Sequence, residues 1–149
     1  MTRFPSRSWR RLGGAVLLAA ACQCALAAPD ARIAALAAQQ KQPLLDSLSQ
    51  LVGIESGSRD LEGLAKIADL IAGKLKAMGG EVELVDTTAH AYRMEDTPEQ
   101  IGRAVRATFK GAGTKKIMLI AHMDTVYQRG MLEKQPFRIE GDKAYGLGI

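Results

Sequence analysis

Ile117-Met118-Leu119-Ile120-Ala121 is an unbroken apolar run that leads directly into His122-Met123-Asp124. A short strand without polar alternation reads as covered on both faces, the mark of a central strand in a layered α/β sheet. In open sheets of that kind, ligands and reactive groups collect beyond the carboxyl ends of the strands. Residues two apart on an extended segment point to the same side. His122 and Asp124 are therefore expected to project together, with Met123 turned back into the packing.

The elements around this run follow from local periodicity. Ala31 to Gln42 is rich in helix formers, and Pro43 opens a second helix at a first-turn position. Leu44, Leu45, Leu48, Leu51 and Val52 form one helical stripe, closed by Gly53. Glu55-Ser56-Gly57-Ser58-Arg59-Asp60 is a polar turn in which Ser58 or Asp60 can cap the next helix. That helix should bury Leu64, Ile67, Ala68, Ile71, Leu75 and Met78, and stop at Gly79-Gly80. Val82 and Leu84 alternate with Glu81 and Glu83, as Val105, Ala107 and Phe109 do with Arg106, Thr108 and Lys110, giving two half-buried strands. Residues 87–100 read as a loop, and Gly111 to Thr114 as a turn. Gly141-Asp142 lies between two short strand patterns, a hairpin signal. Helices followed by strands around a buried central one give an α/β fold with a mixed central sheet flanked by helices.

Residues 1–27 read differently. Arg3, Arg7, Arg10 and Arg11 precede an apolar run from Leu12 to Ala21, and Ala25-Leu26-Ala27 supplies a small-x-small end. Basic start, short apolar middle and small-residue close make a cleavable secretory signal, too short for a lasting membrane anchor. The expected location is periplasmic or secreted. Arg10-Arg11 resembles part of a twin-arginine signal, but Gly13-Gly14 follows it. Ala19 to Cys22 lacks the leading Leu of a lipoprotein box. The whole sequence has 20 basic and 16 acidic residues, and removing the four leader arginines balances them. Nothing in the remainder clusters positive charge as a nucleic-acid surface would. Both cysteines, Cys22 and Cys24, fall in the leader, so 28–149 offers only His and carboxylates to a metal.

A neutral imidazole is a good zinc ligand, and its second ring nitrogen needs an acceptor that fixes tautomer and orientation. His122 and Asp124 suit those two roles. By itself His-x-Asp is weak, since a histidine after an apolar strand is more often a hydrogen-bonded structural residue. His90 lies in a polar loop and reads as solvated surface. There is no H-E-x-x-H, G-x-S-x-G or Walker loop, and Gly146-Leu147-Gly148 is too short for a dinucleotide fingerprint.

Taken in order, His122-Met123-Asp124-Thr125-Val126-Tyr127, Pro136-Phe137-Arg138 and Glu140 to Ile149 resemble the metallopeptidase family of glutamate carboxypeptidases, aminoacylases and succinyl-diaminopimelate desuccinylases. The likeness is greatest to the bacterial, folate-cleaving glutamate carboxypeptidases. It runs from about Leu44, through Ile54-Glu55-Ser56-Gly57, to Ile149. The resemblance implies two zinc ions bridged by an aspartate, with His122 as a zinc ligand and Asp124 as the catalytic-site carboxylate that braces it. It also implies that 28–149 is the first part of the catalytic domain. The bridging aspartate, the other ligands, the catalytic glutamate and an inserted dimerisation domain would then lie beyond Ile149. A homodimer through that domain is implied as well. Leu147 departs from the family, which often has Arg or Pro between the two glycines.

The expected function is metal-dependent hydrolysis of a peptide or amide bond that releases a C-terminal amino acid, glutamate above others, from a small peptide or N-acyl amino acid. Alternatives within the family are an N-acyl-amino-acid deacylase or a dipeptidase. The alternative of another class is a catalytically incomplete, non-enzymatic fragment.

Overall fold

The computed structural model describes residues 30–149, so the secretory leader read over 1–27 lies outside the described residues. Asp30 caps the first helix, α1 (Ala31–Gln39). Its Oδ1 accepts from the amides of Arg32 at 2.8 Å and Ile33 at 3.4 Å. The helix ends at Gln40 rather than running on to Gln42 as composition suggested.

From Lys41 onward the chain forms its own unit. Helix α2 (Lys41–Val52) carries Pro43 in its first turn, where no intrahelical donor is lost. Its stripe is half-buried toward the C-terminal end and fully buried at Val52, while Leu44 stays exposed. Helix α3 (Leu61–Ala77) begins at Asp60, whose Oδ1 accepts from the Gly63 amide at 3.0 Å. It ends in a Schellman arrangement: Gly80 N donates to Leu75 O at 3.0 Å and Gly79 N to Lys76 O at 2.9 Å. Gly79 makes this possible with φ +89°. Leu64, Ile67 and Ala68 are buried as the pattern required, but Met78 is 71% exposed because it sits at the cap, past the buried face.

Strands β1 (Glu81–Val85) and β2 (Ala104–Thr108) pair antiparallel, with Leu84 opposite Val105 and Val82 opposite Ala107. The half-buried side chains of this ribbon alternate, and α3 packs on it. Glu83 faces Arg106 on the outer side and the two form an ion pair. The polar link between the strands holds one 3₁₀ turn, Thr88–His90, with His90 exposed as expected. β3 (Arg138–Glu140) and β4 (Lys143–Tyr145) make the expected hairpin, and Gly141 takes φ +63° in its loop.

The central sheet departs from expectation. The described residues form two separate two-stranded antiparallel sheets, not one mixed sheet. Ile117, Met118, Leu119 and Ile120 lie outside any strand and are 80–92% exposed. An apolar run becomes a central strand only when strands on both sides take up its amides and carbonyls. Here β1 and β2 satisfy each other instead. Among the described residues the one parallel contact falls later, at a bridge between Gly57 and Thr125. The fold is mixed α/β, helices with small sheets.

Candidate active site

The segment that follows the apolar run is held against the turn between α2 and α3. Thr125 N donates to Ser56 O at 2.8 Å, and Ser58 N donates to Thr125 O at 3.0 Å. Gly57 must be glycine for this approach, because a Cβ there would collide with the Tyr127 carbonyl oxygen. Further along, Glu55 Oε1 accepts from the amides of Gly130 at 2.7 Å and Leu132 at 3.0 Å. Arg129 then reaches back to Asp60 Oδ1 at 2.5 Å and Glu62 Oε2 at 3.1 Å. These charged hydrogen bonds hold the Asp60 carboxyl down at about 2, with Arg129 the principal cause and the Gly63 amide next. The same two carboxylates raise the Arg129 pKa. The turn is thus the anchor for everything from Asp124 to Leu132.

On this anchor His122 and Asp124 stand together as their two-residue spacing required. His122 Nδ1 is 3.1 Å from Asp124 Oδ1 and 3.0 Å from the Asp124 carbonyl oxygen. Both partners can only accept, so Nδ1 carries the proton and the lone pair of the neutral ring lies on Nε2. The imidazole is 86% exposed, leaving Nε2 open to a ligand. Met123 between them is half-buried. Ser58 Oγ donates to Asp124 Oδ2 at 2.6 Å. The Asp124 pKa is lowered, first by Ser58 and then by His122, against desolvation that works to raise it.

The Gly146-Leu147-Gly148 segment is brought to the same place. Leu147 is buried, and a Cβ on Gly146 would meet Val52 Cγ1 at 2.7 Å. Gly148, with φ +80°, lies against the Thr125 side chain. A groove of about 390 Å³, lined in part by Val52, Ile67, His122, Asp124 and Leu147, opens beside the pair. Apolar walls with a few converging polar groups are the usual make-up of a small-molecule site.

The sequence pattern placed His122 and Asp124 side by side, as they stand here, but did not point to the contacts that Glu55, Ser58 and Arg129 make around them. Ser58 was expected at most to cap α3, a role Asp60 takes. Only the run of short polar residues from Glu55 to Asp60 hinted that this turn does more than reverse the chain.

Against carboxypeptidase G2 of Pseudomonas sp. (strain RS-16), this chain is 40% identical over 114 residues. It is a relative of that carboxypeptidase. The match takes in 76% of this chain and 25% of the carboxypeptidase, so the chain spans about a quarter of its relative's length. No protein-family profile matches the chain. The resemblance to a glutamate carboxypeptidase therefore holds, and the relation is to a hydrolase of carboxypeptidase type.

A zinc centre can be tested against the residues present. His122, with Nδ1 tied to Asp124 and Nε2 open, has the chemistry of one braced ligand. Among the described residues no group of three or more His, Cys, Asp and Glu side chains could hold a metal ion. A catalytic zinc takes three protein ligands. The described residues fit part of such a centre, one ligand and its brace.

Proposed function

We propose that this segment belongs to a zinc-dependent carboxypeptidase, to whose active site it contributes His122 as a metal ligand and Asp124 as the brace of that ligand. One observation carries the reading: the Nδ1–Oδ1 contact that leaves the lone pair of His122 Nε2 free to bind a metal, within a chain 40% identical over 114 residues to a carboxypeptidase. Asp124 accepts a hydrogen bond from Nδ1–H and thereby fixes the tautomer, which raises the basicity of Nε2. Two bound zinc ions would supply an activated water and polarise the scissile carbonyl. The remaining ligands and the general base are assigned outside the described residues. The groove beside His122 would admit part of a substrate, and a C-terminal glutamate is the residue we expect to be released.

The test is an exchange protein in which residues 44–149 of this chain replace the corresponding segment of carboxypeptidase G2. It should release a C-terminal amino acid from an N-acyl substrate, and turn over glutamyl amides faster than N-acetylornithine or a simple dipeptide. Preference for N-acetylornithine would favour a deacylase, and preference for the dipeptide a dipeptidase. A folded exchange protein without hydrolysis of any of them would contradict the proposal.

A further inference from the structure

Ser58 and Asp124 are 66 residues apart in sequence, yet Ser58 Oγ lies 2.6 Å from Asp124 Oδ2. A serine hydroxyl has one proton to give. Its other acceptor within reach is Thr125 O at 3.1 Å, which already receives the Ser58 amide. The shorter contact to an ionised carboxylate is the stronger one and takes the proton. Nor is the hydroxyl needed to cap α3, because Asp60 fills that position.

Asp124 is thus gripped through both oxygens. Oδ2 receives Ser58 and Oδ1 meets His122 Nδ1 at 3.1 Å. A carboxylate with a single partner can swing about its χ angles, whereas two partners on opposite oxygens select one rotamer. The main chain sets the distance between the two segments, through the Gly57–Thr125 bridge and the bonds of Thr125 with Ser56 and Ser58. The Ser58 hydroxyl is delivered to Asp124 by backbone pairing, and does not depend on chance contact of two flexible side chains.

We propose that Ser58 is a positioning residue, holding the Asp124 carboxylate in the one orientation that fixes the His122 ring and presents Nε2 to a divalent metal. The metal part of this inference rests on the proposed function; the positioning is a property of the metal-free chain. Ser58 is exposed, so its replacement opens no cavity in the core.

The experiment uses the full chain, labelled with ¹³C and ¹⁵N. Three-bond couplings report the Asp124 χ1 rotamer, and the ring nitrogens report the His122 tautomer; His90 serves as the internal control. The native chain should show one Asp124 rotamer and the Nδ1-protonated tautomer. Ser58→Ala should average the couplings and raise the zinc concentration that perturbs His122 several-fold. That loss should fall short of the roughly 10- to 100-fold expected from removing the bracing carboxylate itself. Ser58→Thr, which keeps the hydroxyl, should restore both readouts. An unaltered rotamer and unaltered ring nitrogens in Ser58→Ala would overturn the proposal, as would averaging that persists in Ser58→Thr. If Ser58→Ala averages the rotamer but zinc perturbs His122 in no variant, the positioning stands and the metal-ligand reading fails.

Discussion

Arg129 closes onto the cap of α3, and the consequence is measurable as acid sensitivity. Asp60, with its pKa held at about 2 by Arg129, is a carboxylate depressed below its ordinary value near 3.8. Its contribution to stability is complete above the unfolded value, and is lost as pH falls from about 4 through about 2. In Arg129→Ala the principal cause of the depression is gone, so the Asp60 carboxyl should titrate closer to its ordinary range. The tether of residues 129–132 would then rest on Glu55 alone. A ¹³C titration of the Asp60 carboxyl reads this directly: an upward shift is expected, and an unmoved midpoint would show that the Gly63 amide alone sets it.

At the scale of elements, the contact that shapes the site is the close pass of Gly57 beneath residues 125–127. Gly57→Ala would drive a methyl group into the Tyr127 carbonyl oxygen. An overpacked contact of this sort costs about 1–3 kcal/mol. We expect a lower melting temperature together with loss of the Ser58–Asp124 contact, seen as averaged Asp124 couplings; a native-like rotamer would show that the bridge is not what aligns the site. Helices α2 and α3, strands β1 and β2 and the hairpin were legible in the sequence because each is specified by spacing within its own few residues. The central strand read at Ile117–Ala121 is not formed, since an apolar run states that it wants covering but not what covers it. In the site, His122 and Asp124 were legible as neighbours two apart. Ser58, Glu55 and Arg129 act across 66 to 77 residues, where no local pattern points. The exposed run also predicts behaviour. Leu119, 92% exposed, packs against almost nothing, so Leu119→Glu should change folding stability by less than about 0.5 kcal/mol. The same change should reduce self-association seen by light scattering, because it breaks a flat apolar segment open to strand pairing. Marked destabilisation would mean that the run is covered in solution.

For the whole molecule, we propose an exported chain that works within a metal-dependent peptidase. The arginine-rich start, the apolar middle and Ala25-Leu26-Ala27 motivate export, and the mature N-terminus should be Ala28 or Pro29. A mature form that keeps Met1 would contradict it. Among the described residues, no helix is long and apolar enough to cross a membrane. In the proposed enzyme His122 binds zinc through Nε2 while Asp124 holds its other nitrogen. The most direct measurement is zinc content per chain, with turnover alongside, in the carboxypeptidase G2 exchange protein and its His122→Ala and Asp124→Ala variants. We expect loss of bound zinc and of most activity in His122→Ala, and a roughly 10- to 100-fold weaker zinc affinity or rate in Asp124→Ala. Unchanged zinc content and turnover in a folded His122→Ala protein would contradict it.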